Sequence, residues 1–261
     1  MSFDLSAYLL RINHTPLPVS PEGLAALQRA QLRAIPFENT EPLLGRMPDL
    51  DTEAIWRKLV LEGRGSYCLE VNLLLAQALT ALGYQHRPVL CRVRMGVAAG
   101  GPRGHLAHLV TIDGQEWLAD AGFGGPAPEA PVLLGRDEPV EQERGTFRMR
   151  WDEATEEEVL ERETPEGWFA LYGFDRAAVL PADILAANVV CATWDRSPFP
   201  HHLMMNRLIP EGRASLFNRS LNLPGGSREL NGLTDLSDTM TGIFGLPTDA
   251  GRDAAVCAPR P

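Results

Sequence analysis

The chain has 261 residues, 44% of them hydrophobic and 22% charged, with 34 acidic against 24 basic side chains and a formal charge of -10. Such a composition excludes a disordered chain, and the length provides a sizeable core in one large domain or two to three smaller ones. The acidic balance, with no block of Lys and Arg to offset it, argues against a nucleic-acid partner, which would need a basic patch to displace phosphate counterions.

The N-terminal stretch MSFDLSAYLLRIN has an early aspartate, no basic leader and a short apolar run, so no signal peptide is expected. No uninterrupted apolar run of about 18 residues reads as a membrane helix. Helical periods then dominate over 7–12, over 21–34 opening on Pro21, over 52–61, and over 69–82. In the last of these Val71, Leu74, Leu75, Ala78, Leu79 and Leu82 repeat at the spacing of one buried face, and Gly83 supplies the stop. Residues 1–83 therefore read as a helical domain.

From 84 to 190 the pattern changes to short β-rich runs, 88–97, 106–112 and 116–121, separated by glycine and proline turns, as in an antiparallel sheet or barrel. Alternating charge over 136–162 fits either exposed strands or a solvated helix. Beyond Tyr172, residues 181–190 read as a short helix, 203–209 and 213–217 as strands, and 232–244 as a terminal helix, with fraying expected from 248. Residues 191–261 form the third region. No linker separates the three, which are expected to pack as one body.

Four scattered cysteines, Cys68, Cys91, Cys191 and Cys257, with no CxxC pair, fit a reducing, cytoplasmic setting. Cys68 stands out because RGSYCLEVN places it where a turn gives way to a helix-patterned run. A helix N-terminus or a neighbouring cation such as Arg64 can pull a thiol below its ordinary value of about 8.5 toward the reactive thiolate. Ser66 is a possible cap for that helix, without the Glu or Gln of a capping box. The residues alone equally allow Cys68 to be a small buried hydrophobe.

A nucleophilic thiolate needs a base and a group that orients it. The segment GHLAHLVTIDGQEWLADAGFGG offers both. Asp113-Gly114 is a two-residue hairpin signal. With Ile112 opposite Gln115, Ala107 faces Asp120 and His105 lies diagonally on the same side, while His108 points to the other face. A bulge or three-residue loop would invert that parity and bring His108 beside Asp120. Outside this chemistry the histidines are ordinary structural residues and Asp120 a turn-initiating carboxylate before Gly122. Apart from the close pairs His105/His108 and His201/His202, no spacing is that of a zinc site, and no metal is expected.

The motifs RGSYCLEVN, WLADAGFGG and IPFEN, with YLLRI, LYGF, AAN and SPF spread over most of the chain, closely resemble the arylamine N-acetyltransferase family. The resemblance implies an α+β fold with a helical bundle, an antiparallel β-barrel in a cysteine-peptidase-like arrangement, and a C-terminal α/β lid. It implies a catalytic triad of Cys68, His105 and Asp120, and a Glu38–Arg64 pair holding the cysteine-bearing turn. The implied reaction is ping-pong acetyl transfer from acetyl-CoA, as cosubstrate, to arylamines, arylhydroxylamines or hydrazines. Phe37 and Phe123 are expected walls of the acceptor pocket, since flat aromatic amines are held well by aromatic surfaces. Competing readings are a Cys-His-Asp amide synthase or hydrolase with another acyl donor, and a non-catalytic acyl-CoA-binding descendant. Ser66 departs from the family's usual second glycine of RGG, and would be strained if that position required a positive φ.

Overall fold

The computed structural model describes residues 3–135 and 138–248. Fraying beyond Thr248, and Cys257, lie outside the described residues. Local signals set the first elements. Asp4 caps α1 (Leu5–Arg11), accepting from the Ser6 and Ala7 N–H groups, and Ser20 caps α2 (Pro21–Ala34), whose Pro21 already has the fixed φ of a helix start. A short β1 (Phe37–Glu38) and α3 (Thr40–Leu43) follow. The helix expected over 52–61 is α4 (Thr52–Trp56) running into a π-helical turn, Arg57–Leu61, which buries Lys58, Leu59 and Val60 in succession.

The cysteine helix α5 (Cys68–Ala81) starts one residue before the expected run, with Cys68 as its first residue. Its N-cap is Tyr67, which makes no side-chain cap bond, so Ser66 does not cap it.

One antiparallel sheet contains β2 (Gln85–Val93), β3 (Arg103–Ile112), β4 (Gln115–Ala119), β5 (Val132–Leu133), β6 (Val140–Gln142), β7 (Gly145–Asp152), β8 (Glu157–Thr164) and β9 (Gly167–Phe174). Its order is β5-β4-β3-β2-β9-β8-β7-β6, and it curls into a nearly closed barrel as β5 approaches β7. The charged stretch resolves as barrel wall. Phe147 and Met149 of β7 point into the core while Arg148 and Arg150 alternate outward to the Glu161 carboxylate. Strand β2 stops before the expected end at 97 because Met95 and Gly96 turn the chain with positive φ.

The Asp113-Gly114 turn takes positive φ at both residues, and the register is the one the hairpin implied, with Ile112 opposite Gln115 and His108 opposite Ala119. Helix α6 (Pro181–Thr193) is three residues longer than expected and runs through the 190/191 division. Beyond it β10 (Met204–Ile209), β11 (Gly212–Phe217), β12 (Ser220–Leu223) and β13 (Gly226–Glu229) form a second antiparallel sheet, covered by α7 (Gly232–Gly242). The first strand of that sheet is β1, donated by the N-terminal region, with Phe37 opposite Asn206.

Successive residues of β3 serve different cores. Ala107 and Leu109 face the barrel, whereas Val110 and Ile112 pack on the helices. His108 shares the helix-facing side, where its Nε2–H donates to the Asn72 carbonyl at 2.9 Å and its Nδ1 is buried without a partner. Burial and the nearby His86 push its pKa down to about 4. Between that value and the ordinary one near 6.5 the unfolded chain holds a proton that the folded chain refuses. The His108 contribution to stability therefore falls by up to about 3 kcal/mol as pH drops from 6.5 to 4, against an opposite contribution from the buried Glu70 carboxyl, which the fold raises to about 7. Urea unfolding at pH 7 and pH 4.5 should show the stability difference between wild type and His108→Gln, which retains a donor but does not titrate, shifting against wild type at the lower pH.

Candidate active site

The turn before Cys68 is held by main chain and by buried charge. Ser66 exchanges backbone bonds with the β1 segment, its carbonyl accepting from Glu38 N–H at 3.0 Å and its N–H donating to the Pro36 carbonyl at 3.3 Å. The Arg64 guanidinium reaches Glu38 Oε1 at 3.2 Å and Thr40 Oγ1 at 3.0 Å, while Glu38 Oε2 accepts from the Thr40 N–H and hydroxyl. Ser66 does not occupy the left-handed region, so the serine carries no positive-φ strain. Its hydroxyl instead donates to Glu70 and lies 3.2 Å from Lys58 Nζ, which also bonds Glu70 and Glu41. Burial pushes the Glu70 carboxyl up to about 7 against the pull of Lys58 and Ser66.

Hydrogen bonds converge on Asp120, just past the end of β4. Its Oδ2 accepts from His105 Nε2 at 2.7 Å and from the Tyr172 hydroxyl at 2.9 Å. Its Oδ1 accepts from Asn72 Nδ2 at 2.9 Å and from the Gly122 N–H at 2.8 Å. The carboxylate thus starts the turn and grips the imidazole at once. Burial alone would raise its pKa, but the charge and bond of His105, with the Asn72 and Gly122 bonds, hold it below the ordinary carboxylate range.

The use of Nε2 by Asp120 leaves Nδ1 of His105 available to Cys68, and the imidazole and the thiol act on each other's protonation. Burial lowers the basicity of His105, yet Asp120 and then Cys68 more than reverse this, taking its pKa up to about 10. For Cys68 burial pushes the thiol up, opposed by the hydrogen bond and charge of His105. A strengthened base thus faces the thiol, and its charge opposes the effect of burial on Cys68. The ring is wedged against Tyr172 and Phe123, with centroids 4.8 and 5.1 Å away.

Cys68 and His105 open onto a cavity of about 510 Å³ whose walls include Phe37, Phe123, Trp194 and Phe199. Gly124, at φ +72, lies against the Phe37 ring, where an added Cβ would come within 2.5 Å. All seven residues singled out in the sequence lie here: His105 bonded to Asp120, Cys68 with His105, Phe37 and Phe123 at the cavity, Arg64 and Glu38 behind the turn. His108 lies outside this group. Among the described residues no group of three His, Cys, Asp or Glu side chains is placed to hold a metal ion, and no helix is long and apolar enough to cross a membrane.

Sequence reasoning missed Asn72 and Tyr172. Asn72, fully buried one turn beyond Cys68, donates to the Leu106 carbonyl at 2.6 Å and to Asp120, and accepts from the Ala121 N–H at 3.0 Å. The only available signal was an asparagine on an apolar helix face, which burial without partners would penalise. Asn72→Ala should destabilise the fold by roughly 2–4 kcal/mol, because three buried partners lose their bonds. Urea denaturation checks this.

Comparison with known proteins identifies the class first. Residues 21–249 match the family model described as N-acetyltransferase. The chain is 36% identical over 214 residues to the arylamine N-acetyltransferase / N-hydroxyarylamine O-acetyltransferase of Salmonella typhimurium, covering 81% of this chain and 75% of that protein. It is 32% identical over 260 residues to the arylamine N-acetyltransferase of Mycobacterium bovis, covering 94% and 90%. The solved Salmonella typhimurium enzyme superposes with a TM-score of 0.89 over 98% of this chain and 99% of that one, at 30% identity. The Mycobacterium marinum enzyme in complex with CoA does so with a TM-score of 0.89 over 98% and 100%, at 29% identity. The chain belongs to the arylamine N-acetyltransferase family and is a transferase.

Proposed function

We propose that this enzyme moves an acetyl group from acetyl-CoA to the nitrogen of arylamines or hydrazines, or to arylhydroxylamines, through an acetyl-Cys68 intermediate. The observation that carries this reading is the buried row Cys68–His105–Asp120 opening onto one aromatic cavity. The M. marinum relative solved with CoA supports the donor, and the Salmonella relative's name supports both nitrogen and oxygen acceptors.

In the first half-reaction the Cys68 proton passes to His105 and the thiolate attacks the thioester carbonyl. The tetrahedral adduct expels the CoA thiolate, which takes the proton from His105. The amine then attacks acetyl-Cys68, His105 accepts the amine's proton, and Cys68 is released as the amide forms. Asp120 keeps Nε2 of His105 engaged throughout, so that Nδ1 faces the sulfur, and it stabilises the imidazolium. Phe37 and Phe123 flank the acceptor's ring. In this reading 1–83 carries the nucleophile, 84–190 the base and its carboxylate, and 191–261 the lid. Three buried free thiols, Cys68, Cys91 and Cys191, fit a cytoplasmic enzyme.

Brief exposure to acetyl-CoA without acceptor should add one acetyl group by intact mass, absent in Cys68→Ala and discharged by an arylamine. An unmodified wild type whose Cys68 still reacts with iodoacetamide would point instead to another acyl donor or to hydrolysis. Asp120→Asn should lose at least about 100-fold in acetyl transfer with the fold retained, because the imidazole loses its orienting and charge-stabilising partner. Steady-state assays alongside circular dichroism measure both.

A further inference from the structure

A second thiol stands beside the nucleophile and takes no part in the proposed transfer. Cys191, on α6, donates to the Gly104 carbonyl at 3.2 Å, and Cys68 donates to the same oxygen at 3.5 Å. The two sulfurs are therefore separated by no more than two hydrogen-bond lengths, and both line the aromatic cavity. Residue 104 is glycine, and an added Cβ there would stand only 2.9 Å from the Cys191 sulfur, so the close approach of Cys191 to this backbone requires glycine. Cys91 is excluded from the pair. Its sulfur donates to the Val89 carbonyl at 3.8 Å within the barrel core and does not line the cavity.

We propose that a peroxide entering this cavity converts Cys68 and Cys191 into an intramolecular disulfide, making Cys191 the resolving thiol of an oxidative modification site. The thiolate of Cys68, its proton held by His105, attacks one peroxide oxygen. Its sulfur becomes a sulfenic acid as the O–O bond breaks, and the departing hydroxide recovers the proton as water. The Cys191 sulfur then attacks the sulfenic sulfur. The S–O bond breaks, and the hydroxide leaves as a second water with the Cys191 proton. Two thiols lose two electrons and two protons, and the peroxide is reduced to two waters. Burial pushes the Cys191 thiol up to about 12. It is thus less reactive toward peroxide than the Cys68 thiolate, and its place beside Cys68 directs it to the sulfenic sulfur. The bond caps the nucleophile and bars further oxidation to the irreversible sulfinic acid. The inference rests on Cys68 being the reactive thiol, and not on the acyl chemistry.

The test treats reduced wild type and Cys191→Ser with about a fivefold molar excess of hydrogen peroxide, since sulfinic acid consumes two peroxides per thiol, then denatures, alkylates and maps both by mass. Wild type should lose about 2 Da, yield a Cys68–Cys191 crosslinked peptide, and recover iodoacetamide labelling of Cys68 after dithiothreitol. Cys191→Ser should instead accumulate Cys68 sulfinic acid, a gain of about 32 Da, to a level about tenfold above wild type. Equal sulfinic acid in the two proteins, or a crosslink to Cys91 or Cys257, overturns the inference. Failure of reduced wild type to label at Cys68 would overturn the nucleophile assignment as well; labelling without the disulfide overturns this inference alone.

Discussion

The Asp120 carboxylate is the constraint on which the site depends. It accepts four hydrogen bonds, from α5 through Asn72, from β3 through His105, from β9 through Tyr172, and from its own turn through Gly122. A buried carboxylate with fewer partners would protonate and lose its hold on the imidazole. Here each donor comes from an element belonging to a different part of the packing. The helical region and two strands of the barrel are fixed relative to one another by the same oxygens that set the tautomer of His105.

A second layer of buried charge supports the first. Glu38, Arg64, Thr40, Ser66, Lys58, Glu41 and Glu70 pass hydrogen bonds around the turn that presents Cys68. Each bond in such a network strengthens its neighbours, although Arg64 Nε is buried within it without a partner. The serine at position 66 joins it through its hydroxyl, which gives this departure from the family's glycine a bonding role in place of the backbone role the glycine suggested.

What was legible in the sequence follows from distance along the chain. The assignment of His105 over His108 needed only the Asp113-Gly114 turn and the alternation of a strand, both local, and the register has that parity. The start of α2 on Pro21 and the apolar face of α5 were likewise written in neighbouring residues. Tyr172 was not legible as a partner of Asp120, because β9 reaches the site by pairing with β2 across the barrel, a long-range choice with no local signature. The charged alternation over 136–162 hid strands for a similar reason. Its arginines and glutamates satisfy one another across β7 and β8, and only that pairing distinguishes a barrel wall from a solvated helix. The short β12 and β13 were missed as well, since neither has an apolar alternation long enough to register.

The donation of β1 to the second sheet has a consequence for assembly. Phe37 and Glu38 are synthesised long before their partners Asn206 and Met205, so the nascent chain must carry an unpaired edge through most of its translation. The same two residues form the cavity wall and the anchor of the cysteine turn. Maturation of the candidate site therefore waits on the last quarter of the polypeptide, and a chain released early would present its thiol without the enclosure that surrounds it.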